Sequence, residues 1–312
     1  MKILIGLTAG FACIASAQAQ ASDADLVAAR WTAAMQSARW TGPLLASTAE
    51  TLPHGHVYTE PYFFDGISGG EHSPGTSGFY QYGITDNWTA GVQPFFSLGT
   101  RKYNHEIGIG DTKLMSQVRL WHFSPEHRHP SVALVTNLVI PTGKYDHLGA
   151  LKDGHGSGSF APEVGLNAQQ YFMLGNGRLL RARINVLQRF PLRTDVNGRS
   201  VYGTDAGFSG HAKPGTKTTL VLGSEYSLTK EWVLAFDIES DRWGKTNVVG
   251  RETPGGPSLK QTSPPSWNIG VAPAIEYNWS ARGGAIFGVW IVPKGHNAPS
   301  SITPAIAIQR FW

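Results

Sequence analysis

The chain is poor in cysteine, in charge and in long apolar runs. Of its 312 residues one is cysteine, Cys13. It lies in an N-terminal stretch, residues 1–21, with the parts of a secretory signal. Lys2 is the positive end, residues 3–15 are the apolar run, and Ala17-Gln18-Ala19 or Ala19-Gln20-Ala21 is a small-residue cleavage site. The chain beyond residue 21 has no thiol, which excludes disulfides, thiolate nucleophiles and cysteine metal ligands. Beyond the signal no run approaches the ~20 apolar residues of a membrane-spanning helix. Charged residues make up 15%, and the net charge of +4 is too small and dispersed for a nucleic-acid surface. Helical periodicity is confined to residues 22–38, where Val27, Trp31, Ala34, Met35 and Ala38 form a stripe. That stretch reads as a short helix at the mouth of a larger body, or as a plug entering it. Residues 41–53 read as a linker.

What the chain has is glycine (37 residues), aromatics (11%) and hairpins. The clearest spans residues 78–98. Tyr80, Tyr82 and Ile84 alternate with Phe79, Gln81 and Gly83. After the turn at Thr85-Asp86-Asn87, Trp88, Ala90, Val92 and Phe96 alternate with Thr89, Gly91, Gln93 and Phe95. Period-two alternation across a tight turn marks two antiparallel strands, one face apolar and the other polar. Phe79 and Phe95 are the exceptions on the polar face. The pattern recurs, with a tight turn at Gly175-Asn176-Gly177 and another at Thr229-Lys230-Glu231. Residues 65–77, 99–110, 141–159, 191–216, 244–265 and 293–300 read as loops. About twelve strands with alternating short and long connections predict an all-β fold, a transmembrane antiparallel up-and-down barrel. In lipid an unpaired sheet edge is too costly, so the sheet must close. The domain reading is a signal over 1–21, an N-terminal helix with linker or plug over 22–54, and the barrel over 55–312. Arg310 falls on the apolar face of the last strand, which fits only if it reaches the membrane rim. The faces of the first and eleventh strands are ambiguous.

The polar face carries the functional signal. Lys113, Gln117, Arg119, Glu163, Asn167, Arg181, Arg183, Arg189, Glu225, Asp237, Glu239 and Glu276 share the inward parity. Arg or Lys facing lipid at mid-bilayer costs roughly 2–4 kcal/mol, so these groups must face water or each other. They predict either cross-strand ion pairs or a wet, narrow, mixed-charge passage. Catalysis has little support. His72-Ser73 suggests a rim hydrolase, but no acidic residue is identifiable to orient the histidine. His54-x-His56 and His127-x-His129 read as turn histidines better than as metal pairs. Gly108-Ile109-Gly110-Asp111 precedes a strand, not a helix, so it is not a phosphate loop. No cofactor or metal is implied.

Several segments in order resemble the family of MetA-pathway phenol-degradation proteins. They are Leu52-Pro53-His54-Gly55-His56 with Glu60-Pro61-Tyr62, Tyr82-Gly83-Ile84-Thr85-Asp86-Asn87-Trp88, Gly108-Ile109-Gly110-Asp111, and Pro130-Ser131-Val132-Ala133-Leu134 with Pro141-Thr142-Gly143-Lys144-Tyr145. The resemblance implies an outer-membrane channel for aromatic or other hydrophobic small molecules. The Arg-rich polar face suits an anionic solute equally. The sequence thus predicts a monomeric channel of a Gram-negative outer membrane, in contact with lipid and lipopolysaccharide. The terminal Phe311-Trp312 resembles the tail by which such barrels are recognised for assembly. A barrel-borne hydrolase or lipid-modifying enzyme, and a plugged structural barrel, are the competing readings.

Overall fold

The computed structural model describes residues 23–98, 107–124, 129–253 and 255–312. The signal, Cys13 and His127 lie outside the described residues. One helix, α1 (Asp23–Gln36), precedes the strands. In chain order these are β1 (Val57–Ser68), β2 (Glu71–Thr85), β3 (Trp88–Gln93), β4 (Phe95–Leu98), β5 (Ile107–Ile109), β6 (Thr112–Trp121), β7 (Ser131–Ile140), β8 (Ala161–Met173) and β9 (Leu179–Arg189). The later strands are β10 (Thr194–Asn197), β11 (Ser209–Lys213), β12 (Lys217–Ser227), β13 (Trp232–Trp243), β14 (Thr246–Arg251), β15 (Ser258–Ser263), β16 (Ser266–Ser280), β17 (Gly283–Val292) and β18 (Ser301–Phe311).

The sheet closes on itself. β1 pairs with β2 on one edge and with β18 on the other, and every ladder is antiparallel. Pro94, which has no N–H to give the ladder, separates β3 from β4 within one barrel strand, and β5 with β6 forms the next. The result is a closed barrel of twelve antiparallel strands. Alternation along each strand is sharp. On β13, Trp232, Leu234, Phe236 and Ile238 are exposed, while Val233, Ala235, Asp237 and Asp241 are buried. Oily side chains form the outer wall and polar ones the inner, as a sheet in lipid requires.

Three loop readings are corrected. Residues 65–77 are not a loop. β1 and β2 run on in register to Ser68↔Glu71 and turn at Gly69-Gly70. Both glycines have positive φ, 59° and 80°, the backbone that a two-residue hairpin needs and a side chain resists. Residues 191–216 and 244–265 also hold structure. β10, β11, β14 and β15 form a separate four-stranded sheet beyond the long-loop end. Its core is Val196, Phe208, Ala212 and Val248, packed by Tyr145, Tyr202 and Leu259. The Tyr202 hydroxyl donates to the Ser157 carbonyl. Burial, with Asp111 adding to it, pushes the Tyr202 phenol well above its usual range, so it stays a donor.

Candidate functional site: the barrel lumen

The linker is inside the barrel. Residues 39–53 enter at the short-turn end, follow the inner wall past more than half of the strands, and leave at the same end. The entry is pinned where Arg39 N–H donates to the Lys230 carbonyl (2.9 Å) and the Asn278 amide donates to the Arg39 carbonyl (3.2 Å). Backbone N–H groups of the segment then donate to wall carboxylates, Thr41 to Glu276 (2.6 Å) and Leu45 to Asp237 (2.9 Å). Arg183 donates to the Ala46 carbonyl (2.7 Å). Asn185 binds Ser47 twice, accepting from its N–H (2.8 Å) and donating to its carbonyl (3.0 Å). Asn167 donates to the Thr48 carbonyl (3.2 Å) and Gln117 to that of Glu50 (2.9 Å). The Glu50 carboxylate accepts from Arg119 (2.9 Å) and from the Ser131 hydroxyl. A segment without helix or sheet ladder has its buried backbone groups satisfied by wall side chains, as burial demands.

Leu44 supplies the apolar contact. It packs with Ala272, Ile286 and Ala307, flanked by Tyr62, Ala274, Trp290 and Ala305. Behind the entry an aromatic chain couples α1 to the wall. Trp31 meets Phe123 (5.5 Å), Phe123 meets Tyr171 (5.0 Å), and Trp40 meets Tyr171 (6.4 Å) and the Arg181 guanidinium (4.7 Å).

The exit explains two sequence motifs together. Gly55 N–H donates to the Gly83 carbonyl (2.9 Å), and Gly83 N–H donates to that of His56 (2.9 Å). His54 N–H donates to Asp86 (2.9 Å) and its ring nitrogen Nδ1 meets the Ile84 carbonyl (2.8 Å). Leu52-Pro53-His54-Gly55-His56 and Tyr82-to-Trp88 are thus two halves of one clasp. His56 stacks on Phe311 (5.0 Å) and its Nδ1 meets the His54 carbonyl (3.2 Å), so the two ring nitrogens are each taken up by a backbone carbonyl. A β-carbon at Gly83 would run into the Pro53 carbonyl oxygen. Gly83→Ala is therefore expected to unseat residues 39–53, read as faster proteolysis of the N-terminal segment in a barrel that stays folded. Unchanged proteolysis would mean that the clasp does not hold the segment in place. The other motif pair is a second clasp at the long-loop end. Thr142 donates to the Gly110 carbonyl (2.7 Å), and Asp111 accepts from the N–H of Gly143 (3.1 Å) and of Ser157 (2.8 Å).

The inward polar residues fall into groups. Gln117, Arg119, Asn167, Arg183, Asp237 and Glu276 hold residues 39–53. Arg181 and Arg183 both face the fully buried Glu225. Arg181 Nε donates to it (2.6 Å), and Arg183 Nε lies 3.1 Å away but out of line for a hydrogen bond. Lys113 and Arg189 flank Glu163 (3.7 and 3.0 Å), with Asn137 donating to it (2.7 Å). This group lies toward the long-loop end, as do Glu239 and the Lys217–Asp241 pair (2.8 Å). The sequence reading passed over the opposite wall. There Tyr62 packs on Phe79 (5.9 Å) and Phe64 on Phe95 (5.9 Å), beyond the Leu44 contact with Trp290. Phe79 and Phe95 were the legible signal, as aromatics on a polar parity.

The family model with the description "Putative MetA-pathway of phenol degradation" matches residues 28–272. The chain belongs to this family. No curated protein matches it. Among solved structures, the COG4313 outer membrane channel from Pseudomonas putida F1 is similar with a TM-score of 0.56 at 15% identity, covering 85% of this chain and 98% of that one. The Pseudomonas putida toluene transporter TodX is similar at a TM-score of 0.41 and 14% identity, over 88% and 95% of the two chains. The CymD monoaromatic hydrocarbon channel gives 0.37 and 11%, over 84% and 89%. The first of these shares the family member's barrel fold; the other two superpose only loosely.

Proposed function

We propose that the protein is an outer-membrane channel for passive entry of small solutes with an aromatic or other apolar part. The observation that carries this reading is the two-sided lumen. Above residues 39–53 an aromatic wall of Tyr62, Phe64, Phe79, Phe95 and Trp290 faces a wall of paired charges. An aromatic solute can slide along ring faces, whose stacked contacts are worth about 0.5–1.5 kcal/mol each beyond area burial. The ion-paired wall keeps water in the lumen. No covalent step is needed, and solutes cross down their gradient. Short turns and both ends of the barrel chain would lie in the periplasm and the long loops outside, the orientation usual for such barrels. Residues 1–21 would direct export, the aromatic tail Phe311-Trp312 would meet the assembly machinery, and the outer rim would contact lipopolysaccharide.

The test is swelling of liposomes carrying the protein, with phenol-sized aromatics, small anions and sugars as solutes. Replacing Phe79 and Phe95 together by Ala is expected to slow the aromatic solutes several-fold and leave sugars unchanged. An equal change for all solutes would count against the aromatic path. A plugged structural barrel is the second reading, favoured by the lumen-crossing segment, and it predicts no swelling with any solute. The hydrolase reading gains one partner, since Asp65 lies 2.6 Å from His72 Nδ1. Ser73, however, is the next residue along the strand and points to the opposite face, so it is not placed to serve that histidine.

A further inference from the structure

Arg310 is a cation on the lipid side of the wall. It is exposed, between outward Ile308 and Trp312 and next to the buried, inward Gln309. It has no carboxylate partner among the described residues. Its guanidinium lies over the Trp312 ring, 4.8 Å from the centroid, which supports a cation but does not neutralise it. Across the ladder Arg310 faces Gly283, and on its other side Thr59. Gly283 is small for a reason visible outside the barrel. A β-carbon there would sit 2.8 Å from Trp279 Nε1, so the indole packs directly against that glycine. The Trp279 ring continues a row through Tyr277 (6.4 Å) to Trp232 (4.7 Å from Tyr277), all exposed. Arg282 precedes Gly283 in the chain. It is exposed in the short turn before β17, and its carbonyl accepts from Phe311 N–H (2.9 Å), which fixes it beside the end of β18. It too has no ion pair among the described residues.

Two guanidiniums without an ion pair among the described residues thus lie at the short-turn rim, Arg310 on the outer face beside the aromatic row and Arg282 in the adjoining turn. Such rows sit at headgroup level, where one end of the ring is apolar and the other wet. The anion available there is the phosphate of an inner-leaflet phospholipid. It accepts charge-assisted hydrogen bonds from a guanidinium fork, often two at once, and basic pockets at this depth collect anionic headgroups. We propose that Arg310 and Arg282, with Trp279, form a binding site for the headgroup phosphate of an anionic phospholipid of the inner leaflet. The outward parity of Arg310, between exposed Ile308 and Trp312, commits the site to lipid.

The experiment uses the full-length mature protein in nanodiscs of phosphatidylethanolamine and phosphatidylglycerol, three to one, released into mild detergent for native mass spectrometry. Wild type is expected to retain phosphatidylglycerol above its share in the bilayer. Arg310→Gln is expected to lower that retention several-fold and the double change with Arg282→Gln to abolish the preference. Arg178→Gln, in a short turn across the barrel, should leave it intact. Heat-modifiable migration on a gel confirms that each variant is a folded barrel. Retention of phosphatidylglycerol by wild type at no more than its one-quarter share of the bilayer would overturn the proposal. So would an Arg310→Gln variant that binds like wild type, or an Arg178→Gln variant that loses as much.

Discussion

Glu225→Gln is expected to destabilise the barrel by about 3–5 kcal/mol, the cost typical of removing one partner from a buried ion pair. Glu225 is 0% exposed and is the shared anion of Arg181 and Arg183, themselves 6% and 7% exposed. The glutamine keeps the shape and removes the charge, leaving two buried guanidiniums without the one carboxylate that both of them contact. Arg183 retains its bond to the Ala46 carbonyl and Arg181 its contact with the Trp40 ring, so neither can turn away without releasing residues 39–53. The measurement is the guanidinium chloride midpoint for refolding into detergent micelles. A second variant, Glu225→Leu with Arg181→Met, removes both members of the closest pair and should recover part of the loss, because an apolar replacement needs no partner. If Glu225→Gln matches wild type within about 0.5 kcal/mol, as a surface change would, the ion cluster is not what holds this part of the lumen together.

Strand alternation made most of the barrel legible, because lipid on one side and polar lumen on the other force a period of two at every position. Leu220, Leu222, Phe236 and Ile238 are exposed where Val221, Glu225 and Asp237 are buried, a contrast visible in composition alone. What lay outside that code was missed for identifiable reasons. Residues 41–53 have no periodicity, since their backbone is bonded to wall side chains one group at a time, so they read as a linker. The Gly69-Gly70 turn was hidden by Gly, Ser and Pro on both flanks, which imitate a loop. The sheet of β10, β11, β14 and β15 has strands of four to six residues, too short to show a pattern. The motifs shared with the family were read as separate architectural marks. Their pairing into two clasps, Pro53 against Gly83 and Asp111 against Gly143, needed the fold. Arg310 stood out on parity and remains on the lipid face, so its oddity was a property of the molecule and not an error of register.

Removing residues 22–50, so that the chain begins at Thr51, is expected to raise conductance in planar bilayers several-fold over the full-length mature protein. The exit clasp survives this cut, because Thr51, Leu52 and His54 keep their bonds to Asp86 and Thr89. The strands lose no ladder partner, since the segment meets the wall through side chains. Glu276, Asp237, Asn185, Asn167 and Gln117 would exchange chain partners for lumen water, a trade that costs little per bond because a hydrogen bond nets only about 0.5–1.5 kcal/mol against water. The barrel should therefore close as before, with an aqueous path where the segment ran. Leu44 alone gives a graded version. Leu44→Ala removes the buried apolar contact that Leu44 makes with Ala272, Ile286 and Ala307, and should loosen the segment without clearing the lumen, giving brief openings in place of a steady current. Conductance unchanged by the truncation would mean that the lumen is closed elsewhere, by the loops over the far end, and that residues 39–53 brace the wall without controlling passage.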